Sequence, residues 1–130
     1  MAYQRKLERD ILCPLEVGLE IFSSKWNCRI LCALHALGPL RYSNLRRHLG
    51  AITDAVLASC LRCLVSNGIL LRTSYDEIPP RVEYSLSSQG QAVVPILQSL
   101  CQWAESLQKT PASMRSCQSC EYRQPMPPAP

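Results

Sequence analysis

Histidine and glycine are scarce in this chain, and their scarcity removes whole classes of chemistry. His35 and His48 are its two imidazoles, neither stands beside an evident carboxylate partner, and no His-Glu-x-x-His pair occurs. A zinc hydrolase or a Ser-His-Asp relay therefore lacks its parts. The five glycines are scattered and form no phosphate-cradling loop, so we expect a non-enzyme that uses no cofactor. Long apolar runs are absent too. Nothing approaches the roughly 18 apolar residues needed to cross a bilayer, and MAYQRKLERD is charged where a secretory leader would carry an apolar core. The expectation is a cytoplasmic protein with no membrane partner. Strong charge is missing as well: a formal net charge of +4 is compatible with nucleic acid without establishing it.

Cysteine is what the chain has in excess, at eight residues. In a small secreted protein that number would indicate a disulfide framework. Here Cys28, Cys32, Cys60, Cys63 and Cys101 fall within or beside apolar helical patterns, where a reduced thiol packs as a small hydrophobe. Cys60-x-x-Cys63 and Cys117-x-x-Cys120 each have ligand-pair spacing. Joining them on one zinc would fold the tail back over the fourth helix, so no metal is expected. The tail pair alone is open to a local disulfide, a weak metal site or no role. Cys28, Cys32 and His35 share a helix but mix with core positions.

Apolar residues make up 47% of the sequence and are interspersed with charge, a composition that packs one domain. The chain divides into an N-terminal arm over 1–12, a domain over 13–108 and a proline-rich tail over 109–130, expected to be disordered. Pro14 suits a first helical position, and Leu15, Leu19 and Phe22 recur on one face of a short helix ending near Ser23-Ser24. A second helix begins at Lys25, carries Trp26, Ile30, Leu34 and Leu37, and stops at Gly38-Pro39. A third runs from Tyr42 to about Leu49, with Leu45 and Leu49 inward, Arg46, Arg47 and His48 on other sides, and Gly50 at its end. Thr53 is a natural N-cap for a fourth, whose buried side takes Leu57, Leu61 and Leu64 with help from Val56 and Val65. Winding at about 3.6 residues per turn puts Ala55, Ser59, Arg62 and Ser66 on its outer stripe, before Asn67-Gly68 closes it.

Residues 69–75 and Arg81–Leu86 read as strands joined by Asp76-Glu77-Ile78-Pro79-Pro80. A last long helix starts near Ser87 or Ser88 and carries Val93, Leu97, Leu100, Ala104 and Leu107 on one side. Trp103 lies on its flank, and Pro95 is expected to bend its early part. This order of elements predicts a mainly α fold with a small β-hairpin: an α+β winged helix-turn-helix, with residues 72–90 as the wing. Tyr42, Ser43, Arg46 and Arg47 are candidate phosphate anchors. Thr53, Asp54, Ala55, Ser59 and Arg62 are candidate contacts on the reading helix, and Arg72, Pro79, Pro80 and Arg81 on the wing. The two prolines limit the conformations a free tip can adopt, and Arg81 is expected to meet a phosphate. Against these stand a solvated helix face and a plain structural hairpin. Trp26 and Trp103 read as packing residues.

The segments CPLEVGLEIFSSKWNCRIL, GPLRYSNLRRHLGAIT, LRCLVSNGILLRTSYDEIPPRVEYSLSSQGQAVVPIL and the closing WAE, in this order, resemble the HxlR family of bacterial transcriptional regulators, relatives of the MarR group. The likeness covers residues 13–105. It implies a homodimeric repressor or activator on a roughly palindromic operator, with the first and last helices at the dimer interface. Carried onto this chain, that interface takes Leu15, Leu19 and Phe22 from the first helix and Leu97, Leu100, Cys101, Trp103, Ala104 and Leu107 from the last. The implied partners are double-stranded DNA and a second copy, and the implied kind of effector is a small molecule or an oxidant. Relatives commonly carry lysine at the position of Ala55, arginine at that of Cys60, and proline or another uncharged residue at that of Asp54. Two missing cations and an added acid imply weaker phosphate attraction, each charge altering the salt slope by about one unit. They also leave a second reading, a winged-helix protein-interaction module with weak or lost DNA binding. With Pro14 opening the first helix, Cys13 stands at its N-cap, where N–H groups and the helix dipole favour a thiolate. Arg9 would add to this and Glu16 oppose it. Some family members sense oxidants or electrophiles through a cysteine at this place, while others with the same Cys-Pro pair have no known sensing role, so Cys13 is a candidate redox switch by resemblance.

Overall fold

Hydroxyl side chains set where three of the helices begin. The computed structural model describes residues 13–107, and the expectations for the N-terminal arm, Arg9 and the proline-rich tail lie outside them. The Ser24 hydroxyl accepts from the Trp26 amide at 3.2 Å and opens α2, Lys25–Leu37. Thr53 accepts from the Val56 amide at 3.3 Å and opens α4, Asp54–Ser66. Ser87 accepts from the Gly90 amide at 3.1 Å and opens α5, Ser88–Glu105. Each cap satisfies a first-turn N–H that the helix itself leaves unpaired, a contribution of about 1 kcal/mol. The shorter helices are α1, Pro14–Ile21, and α3, Tyr42–Leu49. Buried Asn27 ties the first two together, its side-chain amide donating to the Ile21 carbonyl at 2.7 Å.

The sheet has three antiparallel strands in the order β1-β3-β2: β1 is Leu40–Arg41, β2 Leu70–Tyr75 and β3 Arg81–Leu86. The hairpin pairs Leu70 with Leu86 at its base and Tyr75 with Arg81 near its tip, while Leu40 pairs with Tyr84. The hairpin and all five helices lie where the sequence pattern predicts them. The strand β1 is an addition. Two residues are too short to show alternation, and Leu40-Arg41 becomes a strand because β3 offers it a free edge.

Ile30, Leu31 and Leu34 of α2, Leu45 of α3, Leu57, Leu61 and Leu64 of α4, Leu70 of β2 and Val94 of α5 form one buried cluster. Each wholly buried leucine contributes about 1.5–3 kcal/mol. Leu37 and Val56, expected on buried faces, are exposed. Leu37 is the last residue of α2 and Val56 lies in the first turn of α4, so both sit at helix ends where neighbouring elements no longer cover the stripe. On α5 the residue at the centre of the core is Val94, with Val93 and Leu97 partly buried around it. The helix runs on through Pro95. Two glycines are required by geometry. Gly68 has φ +76° just after α4, the left-handed turn that releases the chain into β2. Gly90 packs so closely on the Ile69 carbonyl that an added Cβ would collide with it, which seats α5 against the start of the wing.

Candidate nucleic-acid interface

α3 and α4 meet at 115° across a short turn, within the range of helix-turn-helix pairs. Buried Ile52 anchors that turn, while Leu57, Leu61 and Leu64 fix the rotation of α4 about its own axis. Ala55, Ser59, Arg62 and Ser66 are consequently all exposed on one stripe. The side chains there are small or hydrogen-bonding, so the helix backbone can approach a groove floor closely. Ser43, Arg46 and Arg47 are exposed on α3 beside it.

Arg62 of α4 and Arg72 of β2 line the same shallow hollow of about 220 Å³, together with Val65, Ser66 and Tyr84. The fold thus brings one cation from α4 and one from the hairpin to a common edge. Pro79 and Pro80 are exposed at the tip, and Ile78 between them and Glu77 is fully exposed.

Arg81 is placed differently from the expectation that it meets a phosphate. Its guanidinium stacks on the Tyr75 ring at 4.0 Å and pairs with Glu77 at 3.2 Å and Glu83 at 3.7 Å. Tyr75 completes the group by donating to Glu83 at 3.5 Å. With two carboxylates at hand and only 27% of its side chain exposed, Arg81 braces the wing from within. Sequence reading placed it correctly on the strand but had no way to see its partners, two of which come from different arms of the hairpin.

A second knot lies where α3 meets α4. Arg46 Nε stands 2.7 Å from Asp54 Oδ1, and the Tyr42 hydroxyl donates to that same oxygen at 3.0 Å. Burial first, then the Asp54 carboxylate, push the Tyr42 phenol above its usual range. Asp54 is thus an acid already offset by a cation, and it subtracts less from phosphate attraction than its formal charge implies. The missing cation at Cys60 matters less too. Cys60 is buried, with Ser24 bonded to its thiol, so position 60 lies off the outer stripe. Between the α1–α2 turn and α4 is an open cleft of about 460 Å³, lined by Glu20, Ser24, Asn27, Val56, Cys60 and Cys63 among others. Burial raises the pKa of Cys60, Cys63 adding to it and Ser24 opposing, and burial alone raises that of Cys28. Among the described residues, no three His, Cys, Asp or Glu side chains converge as metal ligands.

Away from the reading face, Leu15 and Leu19 of α1, Leu100 and Trp103 of α5, and Leu107 just beyond it are exposed. Phe22 and Leu97, expected at the same interface, are partly buried against this chain's own core, and Cys101 and Ala104 are half-buried. Cys13 is exposed at the start of α1, its amide donating to Glu16 Oε2 at 3.3 Å. No single described helix is long and apolar enough to cross a membrane.

Three helices around a leucine core, a turn of 115° and a braced hairpin beside an exposed polar stripe define a winged helix-turn-helix regulator. The chain belongs to the HxlR-like helix-turn-helix family, whose profile matches residues 21–111. An uncharacterised HTH-type transcriptional regulator of Methanothermobacter thermautotrophicus is 42% identical over 96 residues, covering 74% of this chain and 72% of that protein. Among solved structures, the redox regulator HypR in its reduced form is 36% identical, with a TM-score of 0.65 over 72% of this chain and 92% of that one. The reduced form of the transcriptional regulator YodB from B. subtilis is 26% identical, with a TM-score of 0.67 over 76% of this chain and 97% of that one. This protein is a helix-turn-helix transcriptional regulator of that family.

Proposed function

We propose that the protein is a sequence-specific regulator that binds duplex DNA as a homodimer, placing α4 of each subunit in the major groove of a palindromic operator and the wing on the flanking backbone. The observation that carries this reading is the exposed stripe of Ala55, Ser59 and Arg62 on a helix whose opposite side is locked by three buried leucines, with Arg72 of the wing at its edge. Pairing through α1 and α5 is supported by the exposed Leu15, Leu19, Leu100 and Trp103, since apolar patches of this kind mark association surfaces. Two copies would present their reading helices about one helical turn of DNA apart. Fluorescence anisotropy on the duplex upstream of the protein's own gene tests this. The expected result is selective binding that weakens steeply with salt. No binding even at low salt would favour the protein-interaction module instead.

A second reading concerns control. Cys13 is exposed, and two solved regulators similar to this chain are a redox regulator and a protein also studied after diamide treatment. In this reading Cys13 and a second thiol lose two electrons and two protons to an oxidant such as diamide and form a disulfide, which alters the spacing of the two reading heads. Diamide should change operator affinity of the wild type and leave Cys13→Ser unaffected. Equal responses of the two proteins would remove Cys13 from the account.

A further inference from the structure

Asp54 is the first residue of α4, and its carboxylate is held in place. Oδ1 takes both the Arg46 Nε contact at 2.7 Å and the Tyr42 hydroxyl at 3.0 Å, and the same hydroxyl lies 3.2 Å from the Asp54 carbonyl. Both partners belong to α3, so the knot fastens the two helices of the reading head at the end that enters a groove first. The carboxylate is still open to solvent: 69% of the Asp54 side chain is exposed.

We infer that Asp54 reads a base, selecting cytosine in the major groove through its exposed carboxylate, with Arg46 and Tyr42 as its positioning residues. The inference rests on the operator-binding reading above. An ionised carboxylate offers acceptors only. Guanine presents N7 and O6 and thymine presents O4, all acceptors that repel it, and adenine sets its N7 acceptor beside the N6 amine. Cytosine alone shows an amine, N4, with no acceptor next to it. A carboxylate near DNA is normally repelled by phosphate, and here Arg46 offsets that charge through its contact with Oδ1. Two donors on one oxygen also restrict the rotamers of Asp54 before binding, so little freedom remains to be lost on docking. A purely structural role is the competing explanation, because acids in the first turn of a helix are stabilised by its dipole.

Selection from a pool of randomised duplexes with the full-length reduced protein separates the two. Wild type should enrich cytosine at one position of each half-site by about tenfold or more over the other bases. Asp54→Asn keeps an acceptor for Arg46 and Tyr42 but turns an amide donor toward the base, so that position should move from cytosine to a base that presents acceptors, guanine or thymine. Asp54→Ala should lose the preference there and keep the others. Circular dichroism and thermal melts establish that both variants are folded. If all three proteins enrich the same base at every position, Asp54 is a clamp only and the inference falls, with operator binding intact. If wild type enriches no sequence, the operator reading itself fails and the inference falls with it.

Discussion

On the α3–α4 side the exposed residues include Ser43, Arg46, Arg47, Ala55, Ser59 and Arg62 with one apolar neighbour, Val56, whereas on the α1 and α5 side they include the large apolar Leu15, Leu19, Ile96, Leu100 and Trp103. Both surfaces are open in the single chain, yet their chemistry is opposite. A polar stripe of short side chains costs nothing in water and is suited to a wet, charged, salt-sensitive partner. An apolar strip at this exposure gains from being covered. The proposed function assigns the polar surface to DNA and the apolar one to a second copy, and the same leucine core holds both in position.

Breaking that shared support should have the largest effect. Leu61 is buried under α4, and Leu61→Ala is expected to destabilise the fold by about 2–5 kcal/mol, read as a lower urea midpoint, with both surfaces lost together. Next in size is a change that touches one surface alone. Trp103→Ala removes an exposed aromatic, so the monomer should melt as before while self-association weakens by about 2 kcal/mol or more, the scale of an interface hot spot, in sedimentation equilibrium. Arg62→Ala addresses the opposite side. It should leave self-association unchanged and lower the slope of log affinity against log salt by about one per subunit, whereas Arg81→Ala should act on wing order rather than on that slope. The smallest effect belongs to Tyr42. Its phenol is raised above the ordinary value of 10.0, so the neutral form is the one the fold favours. The stability this contributes is present at neutral pH and is lost only as pH climbs above 10.0 through the folded-state value. Thermal melts of Tyr42→Phe should therefore fall less steeply in that range than those of the wild type.

Much of this architecture was legible because periodicity and punctuation agree in the sequence. Thr53 as a cap, Gly68 as a stop and Leu57, Leu61 and Leu64 at helical spacing leave few other ways to orient α4, and the outer stripe follows. The wing was legible from alternation in Arg81–Leu86 and from the prolines of its turn. What stayed hidden depends on contacts between distant residues. Arg81 looks like a free cation until Tyr75 and Glu77 close on it. Asp54 looks like a charge penalty until Arg46 and Tyr42, 8 and 12 residues earlier, prove to be its neighbours. Phe22 and Leu97 share the spacing of the exposed apolar residues but turn into their own core, because spacing along one helix does not say which of two apolar sides a partner copy would cover.

The location of the DNA-facing surface is the claim on which the rest depends, and amide hydrogen exchange with and without a bound operator duplex measures it most directly. The account predicts added protection in the first turns of α4 and in β2 and β3, with no DNA-dependent change along the outer face of α1. DNA-dependent protection confined to α1 and α5, with α4 and the hairpin unchanged, would contradict it.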